Sequence, residues 1–208
     1  MGVLNVTPDS FSDGGRFLDA EAAVAHGLAM EAEGADILDV GGESTRPGAE
    51  AVAPEEQIRR VVPAIEGLVA RGARAQISID TTRLAVAEAA VAAGATYVND
   101  VSAFRADPEL AGLVADRGLD CCLTHMRGDP RTMQAEAVYD DVVADVKAFL
   151  EERLEYAVGQ GVPEDSVWLD PGIGFGKTLD HNLELIARLD EIVAIGRPVV
   201  FGLSLIHI

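Results

Sequence analysis

Short β-branched and apolar runs alternate with longer segments of helical period along the whole chain, and this rhythm confines the fold to a parallel α/β sheet. The predicted strands are residues 2–6, 36–40, 75–80, 96–100, 121–126, 167–170 and 198–202. Between the first two, Leu18, Ala22, Ala25, Ala29 and Ala32 step by four and three residues and trace one helix face. Further helices are predicted over 54–70, 83–93, 108–117, 138–158 and 182–195. Pro54 and Pro108 fall where a first helical turn tolerates a missing N–H. Gly34, Gly72, Gly94, Gly118 and Gly196 each stand after a helix and before the next strand, the place of a helix-ending glycine.

Strands that read as apolar on both faces belong in a parallel sheet covered by helices. Such a sheet either stays open and doubly wound or closes into a (β/α)8 barrel. Polar residues end nearly every strand: Asn5, Glu43, Asp80, Asn99 and Asp100, His125, Asp170 and Ser204. A barrel needs this to line one mouth, whereas an open sheet gathers such groups at a switch point. The expectation is therefore a single domain over residues 1–208, an incomplete TIM barrel with seven strands present and the eighth strand and its helix missing.

The chain carries 16 basic and 35 acidic residues, a net charge of -19, which argues against nucleic acid and anionic membranes as partners. The apolar runs are too short to span a bilayer, and no basic leader precedes the first strand. Cys121 and Cys122 are adjacent, which disfavours a mutual disulfide, and a reduced, cytoplasmic setting is expected.

Two connections after strands carry unusual side chains. Residues 5–15 form a long loop, a candidate lid at the mouth, although a run rich in Asp, Ser and Gly also suits a plain surface turn. Residues 41–48 bring a hydroxyl beside the guanidinium of Arg46, whose fork of donors fits phosphate oxygens or a surface ion pair. Asp80, Asn99 and Asp170 end three different strands. Carboxylates accept paired hydrogen bonds and an amide both donates and accepts, so the set suits a flat heterocycle with a 2-amino-4-oxo edge. Capping or turn roles explain any one of them equally well. Residues 170–178 fail the P-loop pattern because Pro171 stands where Gly is required, and they fail the dinucleotide pattern as well. The glycines there are expected to let backbone pass close to a ligand plane. His125 is given no catalytic role, His26 and His181 are expected at the surface, and no zinc spacing or Ser–His–Asp set appears.

Taken in order, NVTPDSFSDGG (5–15), GESTRPG (42–48), ISIDT (77–81), VND (98–100), His125-Met126 and DPGIGFGK (170–177) resemble the dihydropteroate synthase family. That resemblance implies a (β/α)8 barrel that condenses dihydropterin diphosphate with p-aminobenzoate, using Mg²⁺. It places Asn5 at the metal, and Asp80, Asn99 and Asp170 at the pterin. Thr45 and Arg46 fall at the diphosphate, Phe11 and Pro47 at the aminobenzoate ring, and Asp13 at the reacting carbon. Asp13 and Thr45 are thereby the catalytic candidates. The partners implied are these small molecules, with a homodimer as the expected oligomer. A pterin-dependent methyltransferase domain would not account for the two loops; a non-catalytic pterin-binding paralogue is the other alternative. The family continues past Ser204 with Arg-Lys and later an Arg-x-His, where this sequence has Leu205-Ile206-His207-Ile208. Residues 205–208 are accordingly expected to be foreign to the family, and the chain as written to be a poor catalyst.

Overall fold

A computed structural model describes residues 1–6, 16–43, 51–128 and 137–203. Among them run β1 (Gly2–Asn5), α1 (Arg16–Ala32), β2 (Ile37–Gly41), α2 (Pro54–Ala70), β3 (Gln76–Asp80), α3 (Leu84–Ala93), β4 (Tyr97–Asp100), α4 (Glu109–Arg117), β5 (Asp120–Thr124), α5 (Val142–Gly159), β6 (Val167–Asp170), α6 (Leu179–Ala187) and α7 (Leu189–Val193). The strand order is β1-β2-β3-β4-β5-β6. A doubly wound sheet reverses its order at a switch point. Here the order never reverses, as a barrel wall requires. The seventh predicted strand meets β6 through a single parallel bridge, Leu169 to Val199, flanked by Leu169 N–H to Pro198 O and Val200 N–H to Leu169 O, both 2.9 Å.

The chain forms two compact units, one on residues 1–43 and 51–99 and the other on 100–128 and 137–203. In the first, β1 to β4 pair in parallel. Pro54 opens α2, Glu55 and Glu56 in its first turn suit the positive end of the helix dipole, and Val61, Ala64, Ile65 and Leu68 form its buried stripe. Helix α1 packs closely on α2: a Cβ added to Gly67 would lie 2.5 Å from Cγ2 of Val24, a stiff and buried side chain. Gly67→Ala therefore gains helix propensity but must displace Val24. A net loss of about 1 kcal/mol is expected from overpacking, read as a lower urea midpoint with an unchanged m-value.

In the second unit two predicted helices depart from their expected bounds for local reasons. Helix α5 starts at Val142 rather than 138, because Asp141 adopts extended backbone and its carboxylate accepts the N–H groups of Val143 and Ala144, both at 3.0 Å. Helix α6 starts at Leu179, earlier than 182, behind a reciprocal cap. The hydroxyl of Thr178 accepts the His181 N–H, and Nδ1 of His181 accepts the Thr178 N–H, both at 3.2 Å. The predicted helix over 182–195 is broken at Arg188 (φ -116°, ψ 27°). That guanidinium gathers Asp141 (3.0 Å), Glu184 (2.8 Å) and Glu191 (2.7 Å), holding the break in place. The five predicted helix-ending glycines all have positive φ.

Candidate functional site

In the first unit, register alone assembles a row of polar groups. Asn5 pairs with Gly41, Gly41 with Asp80, and Asp80 with Asn99, so the last residues of β1, β2 and β3 stand abreast of the next-to-last residue of β4. Gly41 keeps the row open. A Cβ there would lie 3.4 Å from Oδ1 of Asn5 and 3.5 Å from Oδ2 of Asp80, so an amide oxygen and a carboxylate oxygen flank the same space. Asn5 is exposed, and Asp80 and Asn99 are half-buried. These are hard oxygen donors of the kind Mg²⁺ accepts, and that ion typically takes only one or two protein ligands beside phosphate oxygens. Among the described residues no group of three or more His, Cys, Asp or Glu side chains could hold a metal by itself. A site completed by substrate oxygens is the arrangement Asn5 fits.

Beneath this row lies a carboxylate that the strand pattern hid. Asp39 is 3 % exposed in the middle of β2; it accepts the Ser78 hydroxyl at 2.5 Å and Nδ2 of Asn99 at 2.8 Å. Burial pushes its pKa up, and the bonds from Ser78 and Asn99 pull it back. Two polar residues predicted to line the mouth do other work. Glu43 accepts from Val52 N (2.8 Å) and Gln57 Nε2 (3.0 Å), tying the chain after β2 to the start of α2. Asp100 is fully buried and accepts the N–H groups of Ser102 and Phe104, both at 2.7 Å, holding a turn in which Ala103 and Phe104 have positive φ.

In the second unit, Asp170 ends β6 and accepts the Gly172 N–H at 2.7 Å. Burial raises its pKa to about 6, with the Gly172 N–H and the Lys177 charge opposing the rise. The loop that follows is locked by a lysine that the sequence reading left without a role. Nζ of Lys177 lies 2.8 Å from Gly172 O, 3.1 Å from Phe175 O, 3.3 Å from His125 O and 2.9 Å from Nδ1 of His125. Burial pushes Lys177 down to about 7, and the neighbouring Asp170 carboxylate acts against that shift. Burial, the Lys177 charge and Arg105 push His125 down to about 3, so it stays neutral at working pH and its Nδ1 is free to accept. The edge of Phe149 meets the His125 ring at 4.8 Å, and the Tyr139 hydroxyl donates to Gly176 O at 2.9 Å. The glycine run does permit a close approach, but to the backbone just past β5: a Cβ on Gly172 would lie 1.9 Å from His125 O.

Phe11, Asp13, Thr45, Arg46 and Pro47, along with residues 204–208, lie outside the described residues. Two signals for the missed residues were present. Asp39 sits between Leu38 and Val40 in a strand apolar on both faces, where a carboxylate must have partners. Lys177 is the sole cation in a glycine-rich loop directly after a strand-end Asp. Among the described residues no helix is long and apolar enough to cross a membrane.

A family model described as pterin binding enzyme matches residues 1–208. Dihydropteroate synthase of Mycobacterium leprae (strain TN) is 52% identical over 209 residues, covering 98% of this chain and 72% of its own length. The solved structure of Xanthomonas albilineans dihydropteroate synthase with 4-aminobenzoic acid is 50% identical with a TM-score of 0.90, over 98% of this chain and 72% of that one. The same enzyme in complex with 7,8-dihydropteroate is 47% identical with a TM-score of 0.86, over 98% and 71%. The likeness carries the α/β barrel of these enzymes, in agreement with the unreversed strand order. Motifs, topology and similarity over nearly the whole chain agree, and the chain belongs to the dihydropteroate synthases, the transferases of folate biosynthesis that join a dihydropterin methyl diphosphate to p-aminobenzoate.

Proposed function

We propose that this chain carries out its family's condensation with Asp80, Asn99 and Asp170 holding the pterin and Asn5 facing the diphosphate end. The observation that carries the reading is the in-register row Asn5–Gly41–Asp80–Asn99, which aligns an amide oxygen, an open position, a carboxylate and a second amide. The amino and N–H groups of a pterin edge donate, and these side chains accept. The C–O bond of the substrate methylene breaks with both electrons leaving on the diphosphate, and positive charge develops on a carbon conjugated to the ring. The carboxylates of Asp80 and Asp170 stabilise that charge, the latter being ionised above about pH 6. The neutral arylamine nitrogen supplies its lone pair to form the new C–N bond, so the attack requires no general base, and the resulting anilinium gives its proton to water.

Asn5 would hold Mg²⁺ through its amide oxygen, and when bound that ion offsets charge on the departing diphosphate. Thr45 and Arg46 are proposed to bind the diphosphate, Phe11 and Pro47 the aminobenzoate ring, and Asp13 the reacting carbon, all by the match of the two loop motifs to the family. Two buried thiols that are not joined in a disulfide support a cytoplasmic location. The proposed homodimer is testable by light scattering.

Asp80→Ala should reduce kcat/KM for dihydropteroate formation by about 100-fold, the equivalent of one lost charge-assisted hydrogen bond, and should weaken pterin diphosphate binding in calorimetry. Unchanged affinity and turnover would remove Asp80 from the pterin site.

A further inference from the structure

The Asn99 side chain has one end that donates and one that accepts, and which end faces a ligand decides what the ligand may be. In the structure that choice is made from below. Asp39 lies two residues before Gly41 on β2 and pairs in register with Ser78. One of its oxygens accepts the Ser78 hydroxyl at 2.5 Å and the other accepts Nδ2 of Asn99 at 2.8 Å. Asp39 and Ser78 are both buried, at 3 % and 0 % exposure, so neither bond is readily exchanged for water. A carboxylate only accepts, so it holds the NH2 end of the Asn99 amide toward itself and leaves Oδ1 for the ligand.

We propose that Asp39 is a positioning residue that fixes the orientation of the Asn99 amide and so restricts this part of the site to rings whose edge donates hydrogen bonds. The proposal rests on the reading of Asn99 as a pterin-binding residue. It assigns Asp39 a role in selectivity without contact to the substrate, and it explains a buried carboxylate that the condensation chemistry does not use. A reversed amide would set its NH2 against the amino and N–H groups of a pterin edge, donor against donor.

The test is a reciprocal exchange on the full chain, read by calorimetric binding of 6-hydroxymethyl-7,8-dihydropterin diphosphate and of its analogue lacking the 2-amino group. Asp39→Asn leaves one acceptor oxygen for the two donors Ser78 and Asn99, so the Asn99 amide is no longer held one way round, and binding of the parent pterin should weaken by about 10- to 100-fold, with a smaller effect on the analogue. Asn99→Asp sets two carboxylates face to face and should weaken binding as well. In the double variant D39N/N99D, the new amide at position 39 donates to the new carboxylate at position 99, whose second oxygen again accepts from the ring. Affinity should return to within about threefold of the parent chain, a coupling expected of residues in one hydrogen-bond network. Should Asp39→Asn fail to fold, comparison of the double variant with Asn99→Asp alone decides the matter. A double variant as weak as Asn99→Asp, or a D39N protein that loses both ligands equally, overturns the proposal. An Asn99→Ala protein with unaltered pterin affinity instead removes Asn99 from the site, and the role of Asp39 in selectivity goes with it.

Discussion

Lys177→Met is expected to destabilise the chain by about 3 kcal/mol and to weaken pterin binding, although the lysine need not touch the pterin. Methionine keeps most of the apolar stem and removes the polar head. The carbonyl oxygens of Gly172, Phe175 and His125 and Nδ1 of His125 share the lysine's N–H groups, at most three, and lose them together. Each buried group left without a partner costs about 1–3 kcal/mol, and relief from burying an amine returns part of the total. The loop these bonds tie down begins at Asp170, so its loosening transmits to the proposed ligand. The change also alters the response to pH. Lys177 titrates near pH 7 in the folded chain and near 10.5 when unfolded, so above pH 7 the unfolded state binds more protons and stability rises with pH. Between pH 7 and 8.5 that contribution is about 1.5 kcal/mol, and the methionine variant should lack it. The comparison is best kept below pH 9, because burial holds the Cys121 thiol up at about 12 and its contribution falls with rising pH. Urea unfolding of both proteins at the two pH values measures the difference; parallel pH slopes would show that the Lys177 head is not what fixes the loop.

The architecture was legible because it rests on periodicity and punctuation. Each of the six strands and the helices from α1 to α5 lies on the segment that its apolar pattern marked, since burial on both faces leaves few ways to write a parallel strand. The boundaries that moved did so where a side chain outbid local pattern: Asp141 delays α5, Thr178 and His181 advance α6, and Arg188 splits the last predicted helix. Of the site, strand-end positions could be read because the alternation shows where each strand stops, and register then set Asn5, Asp80 and Asn99 abreast. What could not be read were the groups that act through others. Asp39 and Ser78 lie within one unit yet 39 residues apart in sequence. His125 and Lys177 are 52 residues apart, and their pairing depends on the path of a loop, which no periodicity encodes. His181 looked like a solvent residue because its capping role needs only one backbone N–H nearby.

Gly172→Ala should be the most damaging single change in the Asp170 loop, costing on the order of 4 kcal/mol and abolishing pterin binding. The residue has φ +66°, a conformation that costs an alanine about 1 kcal/mol or more by itself. Sterics add the larger part. The new Cβ would sit 1.9 Å from His125 O, 3.0 Å from the carbonyl carbon and 3.3 Å from Cγ2 of Thr124. Backbone is what it meets, so no side chain can swing aside, and the loop must lift from β5. Lifting breaks the 2.7 Å bond from Gly172 N–H to Asp170 and the 2.8 Å bond from Lys177 to Gly172 O together. Gly174 provides the control. It shares the loop and a positive φ of +86°, but nothing lies within 4 Å of its Cβ position, so Gly174→Ala should cost only the conformational part, about 1 kcal/mol. Gly176, whose Cβ would stand 2.6 Å from Arg127 O, should fall between them. The predicted order of denaturant midpoints is Gly174→Ala highest, then Gly176→Ala, then Gly172→Ala. Equal losses at 172 and 174 would mean that backbone conformation alone shapes the loop, and that its contact with β5 can be given up without consequence for Asp170.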